Sequence, residues 1–499
     1  MRSAQLKAPP RRAAPSGQRA SGRFNVDASR NRTELERIFA TQREGTREQV
    51  SRSYEERMDL LGRLGRIFEQ HRDELVDAVA ADFGIRSRYE TILLDLMLGI
   101  SEIKFARRNL KTWLRPRRVK TDIFGLPGSS RLVPQPLGVV GVLGTWNYPL
   151  GTIFVGAAGA LAAGNRVIAK PSEVSANAAE ASERLVRRYF AEEEFAIVQG
   201  GPDMAQAMTA LPFDHILFTG SPAVGRKVYE AAAANLTPVT LELGGKCPAI
   251  VGKGASLAQV CESLVFGKLL NAGQTCIAAD YAFVHVDQME SFVAALRAQV
   301  AKCYPNAASN PDFTSIINDR QFARLQGLLD DAEAKGATVL NLSDNGDGTL
   351  PERHRIVPLA VLDVTDDMAM MQEEIFGPIL PIMPYRSEDE LIRYVNRHER
   401  PLALYYFGDE SEERRKIISE THAGGVTLNG TVMHVFQRRL PFGGIGQSGI
   451  GAYTGVASFE RFTHYKPVFS QPKLSLLGQL LPPYSSKTEG LLNIFEKIL

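Results

Sequence analysis

Pro134-Gln-Pro-Leu-Gly-Val-Val-Gly-Val-Leu-Gly144, with Arg166-Val-Ile-Ala-Lys170 behind it, decides the fold of this chain. Both are short apolar runs without polar alternation, the pattern of strands buried on both faces. Between them, Gly156–Ala163 reads as a helix of small residues that can pack close to a sheet. Phe195–Val198 and His215–Phe218 add two shorter strand candidates. Strands alternating with helices over this region imply βαβ units and a parallel sheet covered on both sides.

Working outward, the stretch from Arg32 to Leu114 is helical in pattern. Leu60, Leu61, Leu64, Ile67 and Phe68, then Leu75, Val76 and Val79, recur at three- and four-residue steps. Past Gly245 a second alternating stretch opens with Cys247-Pro-Ala-Ile-Val251 and includes Ala282–Val286, Ile379–Met383 and Gly425–Leu428. The expected class is therefore α/β, with two doubly wound parallel-sheet domains. Near the end, Leu491, Leu492, Ile494, Phe495, Ile498 and Leu499 fall on one helical face. That face is expected to pack on the body or to lip a substrate entrance.

A chain of 499 residues has room for two or three domains. Its net charge of +2 at pH 7 offers no field for nucleic acid, so no such partner is expected. No apolar run reaches the roughly 18–20 residues of a membrane span. The four cysteines (Cys247, Cys261, Cys276, Cys303) lack CxxC or metal-ligand spacing and read as reduced thiols in a cytoplasmic enzyme. The segment through Gly22 is Arg-rich and acid-free, which suits a transit peptide or a disordered basic tail. Pro9, Pro10 and Pro15 break the helix a transit peptide needs and favour the tail. No histidine stands in a metal or triad spacing, so no metal is expected. His434, near Asn429 and Gly430, could line a pocket, although a core position is the commoner fate of such a residue.

Two motifs carry reactive groups. Cys276 ends the run Gly267-Lys-Leu-Leu-Asn-Ala-Gly-Gln-Thr-Cys276, and Glu242 stands in Leu241-Glu-Leu-Gly-Gly-Lys246. A nucleophile and a base are the minimum for forming and then hydrolysing a thioester. Asn147, in Trp146-Asn-Tyr-Pro149, could donate its amide to a developing oxyanion, or could be an ordinary turn asparagine.

Other motifs suit a nucleotide. There is no GxGxxG after a strand, but Phe218-Thr-Gly-Ser-Pro-Ala-Val-Gly225 gives strand, turn and helix start. Gly220 allows the turn, Ser221 could bond a phosphate at the helix N-terminus, and Gly225 lets the helix pack closely. Many βα turns share these features. Lys170 and Glu173 in Lys170-Pro-Ser-Glu173 would lie off the carboxyl end of a strand and suit ribose hydroxyls. They also fit a helix start capped by Ser172. In Glu373-Glu-Ile-Phe-Gly-Pro378, an extended chain would point Glu374 and Phe376 to one face, for a second ribose and a flat ring. A strand edge with solvated acids is the alternative.

Taken together and in this order, with Pro441-Phe-Gly-Gly444, these motifs resemble the aldehyde dehydrogenase superfamily from about residue 35 to 470. Within it the chain is similar to the class 3 branch. Arg115-Pro-Arg-Arg-Val-Lys120, Thr145 and Leu481-Pro-Pro-Tyr484 are most similar to its bacterial coniferyl aldehyde dehydrogenases.

The resemblance implies Cys276 as nucleophile, Glu242 as base and Asn147 as oxyanion donor. It implies Lys170 and Glu173 on the adenosine ribose and Gly220, Ser221 and Gly225 at the pyrophosphate. Glu374 and Phe376 would take the nicotinamide ribose and ring, with Trp146 among the cofactor-facing residues. The cofactor would be NAD, with NADP possible. The reaction would take an aldehyde to its acid, as in coniferyl aldehyde to ferulate, or else a fatty or medium-chain aldehyde. It also implies a Rossmann-like cofactor domain at 31–244, a catalytic domain at 245–440 and a return segment at 441–470. The tails would be 1–30 and 471–499. A small β oligomerisation arm, drawn from 115–136 and 455–470, would join a homodimer. A cysteine acyltransferase or thioesterase would also use Cys276 but needs a histidine partner. A non-catalytic scaffold would not need Cys276, Glu242 and Asn147 together.

Overall fold

The apolar run at 134–144 does not form one strand. In the computed structural model, which describes residues 24–343, 349–473 and 480–498, it breaks at Gly138. Ser129–Pro136 belongs to a three-stranded antiparallel sheet, and Val139–Leu143 to a six-stranded one. Gly138 has φ 141°, and a Cβ there would lie 2.2 Å from Asp214 Oδ2. The Gly138 amide donates to Asn165 Oδ1 (2.9 Å) and the Val139 amide to Asp214 Oδ2 (2.8 Å), fixing the bend. A continuous apolar string has no period that could reveal such a break.

The six-stranded sheet runs Gly449–Ile450, Val239–Glu242, His215–Thr219, Val139–Leu143, Arg166–Lys170, Phe195–Ile197. All neighbours are parallel except the short edge strand Gly449–Ile450. The chain winds outward from Val139–Leu143 first to one side and then to the other. The carboxyl ends of Val139–Leu143 and His215–Thr219 therefore flank the switch point, where such sheets bind ligands. The helix Gly151–Ala162, which starts five residues earlier than expected, lies close on this sheet. A Cβ at Gly156 would stand 2.6 Å from Leu217 Cδ2, so glycine lets the helix and sheet approach without displacing that side chain.

The second sheet has seven strands, in the order Thr338–Asn341, Leu359–Leu362, Ile379–Tyr385, Tyr281–His285, Pro248–Val251, Ala403–Phe407, Gly425–Leu428. It too is parallel apart from one edge strand, Thr338–Asn341. The third sheet pairs Ser129–Pro136 with Arg117–Val119 on one side and Thr463–Ser470 on the other.

The upstream helices follow the apolar spacing. Tyr54–Gln70 opens with a reciprocal cap, in which Ser53 Oγ accepts from the Glu56 amide and Glu56 accepts from the Ser53 amide. Its Leu60, Leu61, Leu64, Ile67 and Phe68 are buried. Residues 1–23, most of the expected basic tail, lie outside the described residues, and the helix Phe24–Glu48 begins within the span 1–30. At the other end Ser486–Ile498 is helical. Phe495 is buried while Leu492, Ile494 and Ile498 are exposed, so only part of the apolar face is covered; Leu499 lies outside the described residues. Among the described residues no helix is long and apolar enough to cross a membrane.

Candidate active site

Four loops meet above the switch point. Glu242 is the last residue of Val239–Glu242. Thr219 ends its strand, and Ser221 caps the helix Pro222–Ala233, its side chain accepting from the Val224 amide. Trp146 and Asn147 follow Val139–Leu143. From the second sheet's side comes Cys276, held by an unusual turn. Asn271, Ala272 and Gly273 have φ of 52°, 51° and 75°, a left-handed run that costs free energy in non-glycine residues. Gln274 offsets that cost with its whole amide: Nε2 donates to the Asn271 and Ser315 carbonyls, and Oε1 accepts from the Ile317 amide.

One cavity of about 1090 Å³ runs through these loops. Trp146, Asn147, Gly220, Ser221, Glu242, Cys276, Glu374 and Phe376 all line it. Lys170, Glu173 and Gly225 do not. Lys170 Nζ bonds Glu173 Oε2 (3.0 Å) and the Pro171 carbonyl (3.1 Å) at the end of the neighbouring strand. Gly225 makes room for Leu243, whose Cδ2 would sit 2.6 Å from an added Cβ. The helix after Lys170 starts at Ala176, behind Ser175, so Ser172 caps only a local turn, accepting from the Val174 amide. Nor is the Glu374–Phe376 segment extended. Phe376 has φ 54°, and its ring meets Trp146 edge-on at 5.3 Å.

The electrostatics distinguish the reactive groups. Glu242 is 3% exposed and neither carboxyl oxygen has a hydrogen-bond partner. Burial alone pushes its pKa well above the ordinary 4.5. Burial also pushes the Cys276 thiol up, aided by the Glu374 and Glu242 charges and opposed by the amides of Cys276 and Ile277. Glu374 is pushed up to about 8 by burial and by Asp280. Asn147 Nδ2 donates to the Gln274 carbonyl (2.9 Å), which fixes the orientation of its amide and leaves its second N–H unassigned.

Part of the cavity lining is apolar, with Leu94, Leu98, Val155, Val435, Phe436 and Phe442. Tyr453, buried and near Glu242 and Cys276, and Arg438, ion-paired with Glu102 at 3.3 Å, also face it. Sequence reasoning singled out neither. His434 is not part of this lining. Its Nδ1 bonds Thr427 Oγ1 (2.8 Å), its ring stacks on Phe442, and burial lowers its pKa to about 4. Cys247 is buried, with Sγ 3.5 Å from the Cys276 carbonyl. Behind the loops lie Arg86, Glu90 and Asp95, all buried charges whose place the sequence pattern did not betray.

The residues present fit a dinucleotide. The first turn of Pro222–Ala233 faces the cavity beside Thr219 Oγ1, a buried hydroxyl without a partner. The edge-on Trp146–Phe376 pair also lines the cavity. Gly244 leaves space for the Glu374 carboxylate, which would lie 1.9 Å from an added Cβ.

A model of the aldehyde dehydrogenase family matches residues 14–468. The chain is similar to a probable coniferyl aldehyde dehydrogenase of Pseudomonas aeruginosa, 43% identical over 92% of this chain and 95% of that one. It is 41% identical to a coniferyl aldehyde dehydrogenase of a Pseudomonas species, over 90% of this chain and 93% of that one. Among solved structures, a substrate-bound Staphylococcus aureus AldH matches with a TM-score of 0.87 and 35% identity, over 92% and 99% of the two chains.

Proposed function

Because this chain belongs to the aldehyde dehydrogenase family, we propose that it oxidises an aromatic aldehyde of the coniferyl type to its acid, with Cys276, Glu242 and Asn147 as the reacting set. It is an oxidoreductase acting on aldehydes and using NAD(P). The observation that carries the assignment of the reacting set is one cavity lined by a thiol, an unpartnered carboxyl and an amide donor; similarity to coniferyl aldehyde dehydrogenases supports the aromatic substrate.

In this reading the Cys276 thiol passes its proton to solvent in the cavity and the resulting thiolate adds to the aldehyde carbon. The oxyanion so formed takes hydrogen bonds from the free N–H of Asn147 and from the Cys276 amide. A nicotinamide, when bound, would supply the acceptor for the hydride. What remains on Cys276 is a thioester. Glu242, with both oxygens free, takes a proton from the water that attacks it and the acid departs; such a base contributes about 10²–10⁴-fold. Gly220 and Ser221 would hold the pyrophosphate, and Glu374, Phe376 and Trp146 the nicotinamide end. Lys170 and Glu173, outside the cavity lining at the end of the neighbouring strand, would hold the adenosine ribose, and the Glu173 carboxylate would suit the free 2′-hydroxyl of NAD.

Residues 31–244 form the cofactor domain, 245–440 the catalytic domain, and 441–470 the return segment. The protein acts as a cytoplasmic homodimer. Free cysteines support a reducing compartment. Two sheet edges with exposed apolar residues, Thr463–Ser470 with Phe469 and Gly425–Leu428 with Val426 and Leu428, support pairing between copies.

A steady-state panel of coniferyl aldehyde, benzaldehyde and a long alkanal, each with NAD and NADP, tests the substrate. Highest kcat/KM with coniferyl aldehyde is the expected result. Preference for the alkanal overturns the aromatic assignment and makes the apolar part of the lining a wall for an alkyl chain.

A further inference from the structure

Arg86 is 5% exposed, and no step of the reaction described above uses it. Its guanidinium nevertheless touches both halves of the site. Nη1 donates to the Asn147 carbonyl (2.7 Å) and to Asn271 Oδ1 (3.2 Å), while Nη2 donates to Asp95 Oδ2 (3.1 Å). Arg86 and Asp95 side chains are both fully buried. The group lies over the rings of Phe83 (4.6 Å) and Tyr148 (5.3 Å).

The partners of Arg86 are themselves tied to the reacting groups. Asn271 Nδ2 donates to the Asn147 carbonyl (3.2 Å) and the Gln274 carbonyl (3.1 Å), the latter also taken by Asn147 Nδ2. Asn271 is the first left-handed residue of the turn that ends in Cys276. Asp95 Oδ1 accepts from the Leu150 and Gly151 amides, at the start of the helix that follows Asn147. So one planar cation fixes the oxyanion loop to the nucleophile turn, and one carboxylate fixes that cation to the helix behind.

A surface arginine would do none of this. A fully buried ion pair adds little net stability by itself, because desolvation offsets attraction, and its retention is better explained by geometric specificity. Lysine offers no planar fork to reach three acceptors in different directions.

We propose that Arg86 is a positioning residue that sets the register between the Asn147 amide and the Cys276 thiol, with Asp95 holding Arg86 in place. The proposal rests on the assignment of Asn147 as oxyanion donor. Loss of the fork lets the two loops shift, and a displacement of about 1 Å between reacting groups can cost about 10²-fold in rate. The affected step is the formation of the acyl-enzyme, not its hydrolysis and not cofactor binding.

The test is a double-mutant cycle on full-length protein, with Arg86→Lys, Asn147→Ala and the pair. The readouts are the pre-steady-state rate of reduced nicotinamide formation from NAD and benzaldehyde, and the KM for NAD. Arg86→Lys is expected to slow the burst about 10²-fold with KM for NAD unchanged. Asn147→Ala is expected to slow it about 10²–10³-fold, and adding Arg86→Lys to it should cost less than about threefold more, as for residues acting through one another. An Arg86→Lys burst at the wild-type rate, or one that multiplies fully with the Asn147→Ala loss, overturns the proposal and leaves the oxyanion assignment standing. An undiminished burst in Asn147→Ala overturns the oxyanion assignment, and the proposal falls with it. Should Arg86→Lys not fold, Asp95→Asn keeps an acceptor for the two amides, loses the charge that grips Arg86, and is judged by the same cycle.

Discussion

Glu242→Gln separates oxidation from deacylation, and its consequences can be worked from the cavity. Glu242 is 3% exposed, its two oxygens have no partners, and burial pushes its pKa well above the ordinary 4.5. Glutamine has the same shape and no charge, so the exchange opens no void and breaks no ion pair. Stability should change by less than about 1 kcal/mol in mildly acidic buffer, since none of the mechanisms behind larger losses is engaged. The pH dependence has a definite sign. The folded pKa of Glu242 lies above its unfolded value, so its proton-linked stability is complete below 4.5 and is lost as pH rises through the folded pKa. Glutamine carries no such dependence, and the variant should therefore gain stability relative to wild type as pH increases. Catalysis moves the other way. Losing the base should lower kcat by about 10²–10⁴-fold, or about 3–5 kcal/mol of barrier. In stopped flow, one equivalent of reduced nicotinamide per site should appear at close to the wild-type rate and then nearly stop. Turnover equal to wild type, or a lost burst in a variant that still binds NAD, refutes this role.

Three further outcomes are expected. Burial with two nearby carboxyls keeps the Cys276 thiol protonated, so iodoacetamide should alkylate it at neutral pH more slowly than free cysteine, with its pKa near 8.5; faster labelling contradicts the electrostatics. With Glu374 pushed up to about 8, the KM for NAD should fall as pH rises through that value and the carboxylate becomes a full acceptor, whereas Glu374→Gln should show a higher, flat KM. Ser53→Ala should cost about 1 kcal/mol in denaturant unfolding, since it removes half of a reciprocal helix cap, and leave kinetics unchanged.

The parallel sheets were legible because buried strands leave apolar runs, and the early helices because Leu60 to Phe68 repeat at helical spacing. Breaks inside such runs were not. Gly138 separates two sheets within one apolar string, and the evidence for the turn lies in Asn165 and Asp214, far along the chain. Phe376 was taken as extended, but its φ of 54° is set by tertiary packing. The left-handed Asn271 and Ala272 have no local signature, since alanine there is justified only by the network around Gln274. Arg86 and Asp95 resemble the charged face of any amphipathic helix. What gives them meaning is contact with residues up to 185 positions away. Motifs disclosed the candidate reacting groups, because those groups sit in short glycine-rich turns; the groups that hold them in place are scattered.

A covalent acyl group on one sulfur is the claim on which the rest stands. Wild-type protein, quenched with acid during steady-state turnover of coniferyl aldehyde and NAD, can be digested and its peptides weighed. The account predicts a feruloyl mass on the peptide that contains Cys276 and none on those carrying Cys247, Cys261 or Cys303. Continued acid formation with an unmodified Cys276 peptide would contradict it.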